Sequence, residues 1–361
     1  MATGSASAMP WWAWAAPALA WAALGAAVFA GMDGALQAGA AAALVATVFA
    51  SVHHAEVVAH KVGEPFGTLV LAIAVTVIEV ALIVSLMVGG AENAALARDT
   101  VFATVMLVCN GIVGLCLLVG GVRHHEQGFQ EQGANAALAV LAALTVLTLV
   151  LPNFTVATPG PAFSPPQLAF AGVVSLVLYA GFVFVQTVRH RDYFLAPAHD
   201  GPEAHAPAAS GRATALSGAL LVACLVAVVG LAKALTPSLE AAVTWSGAPK
   251  AVVGIVIAAL VLMPEGLSAL RAAHANRLQT SMNLALGSAL ASIGLTIPAV
   301  AAVSLTLGHS LALGLDGKEE VLLGLTLLVS VITLGNGRTT VLQGIVHLVI
   351  LSAFLFLAAV P

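Results

Sequence analysis

The sequence predicts an all-α, polytopic membrane protein of about eleven transmembrane helices, and three observations carry that prediction. Of 361 residues, 60% are apolar and only 8% are charged, with a mean hydropathy of +1.05, whereas a soluble domain carries about 25% charge. The apolar residues fall in blocks of roughly 20, the length at which a helix crosses the bilayer core with its backbone bonds closed internally. The connectors between blocks are short, so little chain is left for a soluble domain. The 34 glycines suit close helix packing in lipid. A net charge of -4 scattered along the chain excludes a nucleic-acid footprint. Cys109, Cys116 and Cys224 all lie in apolar runs and form no disulfide framework.

The first span, 11–31, opens on the aromatic belt Trp11, Trp12 and Trp14. No basic segment precedes it, so a cleaved signal peptide is not expected. The second, 35–52, has a polar exit from Ser51 to Lys61 that keeps a helical period. Further spans follow at 65–90, 100–121, 135–152 and 166–188. Residues 189–213, rich in Pro, His and acid, read as a flexible linker whose His190, His199, His205, Asp200 and Glu203 are either solvated or sense pH and cations. Beyond it lie spans at 214–236, 248–270, 281–307, 319–335 and 340–360. The chain thus divides into N-terminal spans (1–52), a first half (53–188), the linker and a second half (214–361).

Lys and Arg are retained on the cytoplasmic side. One set of alternate connectors holds Lys61, Arg123, Arg189, Arg191, Arg212, Arg271, Arg277 and Arg338, and the other only Arg98, Lys233, Lys250 and Lys318. That asymmetry puts the N-terminus in the cytoplasm and, after an odd number of spans, the C-terminus outside.

Two carboxylates stand inside otherwise uncharged spans: Glu79 in AIAVTVIEVALIVSLM and Glu265 in VIAALVLMPEGLSAL. A charge at mid-bilayer costs roughly 2.5–3.5 kcal/mol on insertion scales, so such residues face a bundle interior or a hydrated cavity. A single one could be a protonated glutamate bonded between helices. Two in matching places point to function. The span after Glu79 carries Asn110-x-x-x-Gly114, and the span after Glu265 carries Asn283-x-x-x-Gly287. On the orientation above, these units run in opposite directions, the pattern of inverted repeats that build a midplane transport site. The pairs Gly89, Gly90 and Gly120, Gly121 are expected at helix ends.

Neutral oxygens accompany the acids. Thr76 lies three residues before Glu79 on the same helix face. Pro264 precedes Glu265, opposing helical hydrogen bonding and freeing carbonyl oxygens. Asn110, Asn283, Ser288, Ser292 and Thr296 add amides and hydroxyls. A hard cation such as calcium wants oxygen ligands with carboxylates supplying charge. Two buried glutamates repel one another when ionised, so either protons or a cation satisfies them, and that competition is the basis of exchange.

Glu56, His60 and Glu64, spaced by four, would line a helical face leading protons or cations toward Glu79, or form a polar interfacial edge. His347, in the last span, either relays protons or packs with a hydrogen bond.

The segments GEPFGTLVLAIAVTVIEVALIVSLM and LMPEGLSALRAAHANRLQTSMNLALGSALASIGLTIPAV resemble bacterial calcium/proton antiporters of the calcium/cation antiporter superfamily, from about His53 to the C-terminus. The resemblance implies two inverted repeats whose acidic residues, here Glu79 and Glu265, bind the transported metal ion and protons, with Asn110, Asn283 and Ser288 as auxiliary oxygens. It implies export of Ca2+, with Na+ or K+ as further substrates, driven by inward H+ flow across a bacterial inner membrane. No cofactor is expected, and the partners are the lipid bilayer and the transported ions. The vacuolar-type members place Gly-Asn shortly before the repeat glutamate, where this chain has Thr76-Val77-Ile78 and Leu262-Met263-Pro264. Two other classes remain open: a passive cation channel on the same carboxylates, and an intramembrane hydrolase using Ser288 or Ser292 with His347.

Overall fold

The computed structural model describes residues 9–31, 33–63, 66–87, 94–195, 210–247, 249, 251–308 and 311–360. Among them, eleven helical segments follow one another: α1 (Trp11–Ala30), α2 (Gly34–Val62), α3 (Phe66–Met87), α4 (Leu96–His124), α5 (Glu131–Phe154), α6 (Pro165–Arg189), α7 (Gly211–Ser246), α8 (Ala251–His274), α9 (Leu278–Leu307), α10 (Gly317–Leu334) and α11 (Val341–Ala359). Nine of the described helices are long and apolar enough to cross a bilayer; α3 adds a shorter apolar stretch, Ala72–Ser85. The chain is a multi-pass membrane protein.

Helix ends depart from the apolar runs for one physical reason: hydropathy marks membrane depth, while helical hydrogen bonding continues into water. α2 runs on through the polar exit to Val62 and stops where Gly63 takes φ 74°. α7 passes through Pro237 to reach Ser246, ten residues beyond the expected end at 236. α4 begins at Leu96, so Arg98 and Asp99, expected in a connector, form its first turn, with Asp99 placed where a helix N-terminus favours an anion. Gly120 and Gly121, expected at a helix end, lie inside α4 and serve as contact points against Gln127 and Val341. Gly89 and Gly90 lie outside the described residues. The three cysteines are free and buried.

The chain forms two compact units, Met1–Ser85 with Ala204–Ala242, and Leu86–Glu203 with Val243–Pro361. In the first, α1 is a packed member. Thr47 donates to the Ala16 carbonyl at 3.2 Å, His54 Nε2 pairs with the Ala13 carbonyl at 3.1 Å, and Trp21 Nε1 donates to Ala223 O of α7 at 3.2 Å. Ala16, Ala50 and Cys224, small side chains from α1, α2 and α7, make the core between them.

The second unit is built around α4. A Cβ on Gly254 would lie 3.0 Å from the Thr100 nitrogen, and one on Gly266 3.3 Å from Ile112 Cδ1, so α8 lies along α4 in the same direction. α11 lies along α4 in the opposite direction: Gly114 faces His347 and Leu348, and a Cβ on Gly344 would be 2.5 Å from Leu118 N. Only glycine allows backbones this close. α9 packs on α6 antiparallel, with Gly172 against Pro298 and Gly294 against Tyr179. A two-residue antiparallel ladder, β1 (Gln127–Gly128) with β2 (Arg338–Thr339), joins the α4–α5 and α10–α11 connectors. Gln127 Nε2 adds the α8–α9 connector by donating to Ala273 O and Asn276 Oδ1, each at 2.9 Å.

Candidate cation-exchange site

Each of the two glutamates is buried on its own helix. Glu79 is 3% exposed on α3, with Thr76, 6% exposed, one turn before it; Glu265 is 7% exposed on α8. Glu79 follows the first residue of α3 by 13 residues and Glu265 the first residue of α8 by 14, so both stand near mid-helix. α8 remains helical across Pro264, which brings no N–H, so the Leu260 carbonyl lacks its usual donor beside Glu265.

The neighbour of Glu265, Gly266, packs on Ile112 at the end of a π-helical stretch of α4, Leu107–Ile112. Such wide turns expose backbone and recur at functional sites. Asn110 sits within it, fully buried, and belongs to a polar chain across three helices. Its Nδ2 donates to Thr326 Oγ1 on α10 at 2.9 Å and lies 3.9 Å from Met106 Sδ. Its Oδ1 pairs with His347 Nδ1 on α11 at 3.1 Å, and His347 Nε2 pairs with Thr333 Oγ1 at 3.2 Å.

Sequence reasoning singled out Asn110 and His347 but not their partners. Thr326, Ser330 and Thr333 occur four and three apart on α10, hence on one helical face, and all are buried. That spacing was the available signal.

Asn283 is placed differently. It follows the first residue of α9 by 5 residues, donates to the Phe194 carbonyl at 2.6 Å and accepts from Gln279 Nε2 at 3.0 Å. It lines a small recess with Gly133 and Ala137 of α5 and Phe182 and Gln186 of α6. Ser288 is half-buried on the same helix. Deeper along α9, Ser292 and Thr296 are buried, and Thr296 Oγ1 finds no hydrogen-bond partner among the described residues. An enclosed hydroxyl of this kind is a ready ligand oxygen.

Glu56 and His60 lie one turn apart on the exposed face of α2; Glu64 lies outside the described residues, as do His199, Asp200, Glu203 and His205 of the linker. Both ring nitrogens of His347 are taken by Asn110 and Thr333, so the ring is not poised as a base for Ser288 or Ser292. Among the described residues no cluster of three His, Cys, Asp or Glu side chains forms a ready metal centre.

A multi-helix membrane bundle with carboxylates, amides and hydroxyls buried at mid-helix suits a cation path through the membrane. The sodium/calcium exchanger protein profile matches residues 35–188 and 216–360. The chain belongs to that family and is a cation antiporter. It is 56% identical over 322 residues to a protein of Sinorhizobium fredii named as a putative ionic transporter, y4hA, covering 88% of this chain and 87% of that one. It is 35% identical over 315 residues to the sodium-potassium/proton antiporter ChaA of Escherichia coli, covering 86% and 85% respectively. Among solved structures, native YfkE, a Ca2+/H+ antiporter, superposes with a TM-score of 0.75 at 16% identity, covering 97% of this chain and 100% of that one.

Proposed function

We propose that the protein exchanges Ca2+ for H+ by alternating access, with Glu79 and Glu265 as the shared site for cation and protons. The observation that carries this reading is the pair itself: one buried glutamate near the middle of α3 and one near the middle of α8, each inside an apolar run. Two carboxylates neutralise one divalent ion or hold two protons, so both loaded states are electrically balanced, and a stoichiometry of two protons per calcium follows. Thr76, Asn110, Asn283, Ser288 and Thr296 supply neutral oxygens. The two glutamate–asparagine helix pairs act as inverted repeats that open the site to either side in turn. Glu56, His60 and Glu64 lead protons or cations toward Glu79. The protein works in a bacterial inner membrane with its N-terminus in the cytoplasm and its C-terminus outside, exporting the cation against inward proton flow.

Calcium rests on the likeness in fold to a Ca2+/H+ antiporter. A second reading, export of Na+ or K+, is favoured by the 35% identity to a sodium-potassium/proton antiporter. A panel of calcium, sodium, potassium and magnesium, each tested for dissipation of a preformed pH gradient in everted vesicles, separates them. Calcium alone responding supports the primary reading, and sodium or potassium responding replaces it. Cation flux without proton movement would remove H+ as the coupled ion.

A further inference from the structure

The polar chain around Asn110 has a direction. Thr326 Oγ1 lies 3.4 Å from Met106 Sδ, and a thioether can only accept, so the Thr326 hydroxyl proton points at the sulfur. Its lone pairs then accept the Asn110 Nδ2–H. The carboxamide therefore turns its oxygen to His347, whose Nδ1 must carry the hydrogen. In the neutral ring Nε2 is then an acceptor, and Thr333 donates to it. The amide is thereby held from both ends, its NH2 by Thr326 and its oxygen by His347, whose ring also has a hydrogen bond to the Cys109 backbone.

An asparagine amide is nearly symmetric in shape but not in charge. With oxygen toward a cation it is a ligand; flipped, its NH2 group repels one. Asn110 lies on a π-helical turn, two residues before Ile112, which packs on the neighbour of Glu265. We infer that His347 is a positioning residue for transport: with Thr333 on the other nitrogen of its ring, its hydrogen bond to Asn110 Oδ1 holds, together with Thr326 at Nδ2, the orientation of the Asn110 amide that transport needs. This rests on the assignment of Asn110 to the transport site.

The test uses the purified full-length chain in proteoliposomes, with whichever of calcium, sodium and potassium dissipates the pH gradient. Apparent KM and maximal rate are measured for the wild type, N110A, H347L, H347Q and the double variant H347L/N110A. Loss of one orienting hydrogen bond in H347L should raise KM about tenfold with little change in maximal rate. H347Q, whose amide can donate to Asn110 and accept from Thr333, should return KM to within about twofold of wild type. The double variant should match N110A alone, because His347 acts through it. A KM raised in N110A but unchanged in H347L, or additive effects in the double variant, overturns the inference and leaves the site assignment standing. A wild-type KM in N110A overturns both. If H347L does not fold, T333V replaces it: losing the donor to Nε2 should raise KM in the same sense, and an unchanged KM there overturns the inference. Nitrogen NMR of histidine-labelled protein, with H347Q as the blank, should show an Nδ1–H ring; an Nε2–H ring overturns it independently of activity.

Discussion

Helices α4 and α9 carry the same motif, asparagine followed four residues later by glycine, after a helix with a buried glutamate. The structure gives the two copies different surroundings. Asn110 is fully buried at mid-helix and bonded to α10 and α11; Asn283 is half-buried near the start of α9 and bonded to its own helix and to the Phe194 carbonyl. A Cβ on Gly114 would lie 3.0 Å from His347 Cβ, while one on Gly287 would meet nothing within 4 Å. The glutamates of the two units share a depth in their helices; the asparagines do not. Under the proposed exchange, a degenerate repeat keeps the groups that must carry charge across the membrane at matching depths and lets the neutral oxygens around them differ in depth and partners.

The largest effect tests the half of the comparison that holds. Glu79→Gln and Glu265→Gln keep size and hydrogen bonding but remove the charge that a cation needs and the proton that is exchanged. Each should reduce coupled transport by about a hundredfold or more, roughly the weight of one mid-membrane charge. Counterflow in everted vesicles measures it. Full activity in both variants would leave the site elsewhere, and loss in only one would break the equivalence of the two units.

The next effect separates the asparagines. Asn110→Ala removes the side-chain partner of His347 Nδ1 and leaves the Thr326 hydroxyl facing an apolar gap, a loss of about 1–3 kcal/mol of stability on top of its effect on transport. Asn283→Ala releases the Phe194 carbonyl and Gln279 in a half-buried place that water can reach, so about 1 kcal/mol or less is expected. Thermal unfolding in detergent ranks them, and equal losses would remove the distinction.

The architecture was legible because the bilayer imposes it: the eleven apolar runs correspond to eleven helices among the described residues, nine of them long and apolar enough to cross it. What hydropathy missed were helix ends, such as the stretch from Ser51 to Val62 in α2 and the first turn of α4, where helix continues in polar sequence. The glutamates were legible because a charge in an apolar run is anomalous on its own. The chain through Asn110 was not: threonines and a methionine are ordinary taken singly, and Asn110 and Thr326 meet across 216 residues of sequence. The π-helical turn that presents Asn110 has no residue signature, and Gly120 and Gly121 read as a helix end because their partners lie in other segments.

The paired glycines differ in the sign of their effect, and Gly287 gives the smallest of all. Gly114→Val drives a branched side chain into His347 and Leu348, whose atoms already stand 3.0–3.3 Å from the added Cβ, so α11 must shift. Overpacking of this kind costs about 1–3 kcal/mol. Gly287→Ala adds a methyl to open space within a helix, where replacing glycine lowers the entropy lost on folding and stabilises by about 0.5–1 kcal/mol. Unfolding temperatures of the two variants should therefore move in opposite directions from wild type. If both fell, α9 would be as tightly packed at Gly287 as α4 is at Gly114, and the motif would have kept its packing role in both copies.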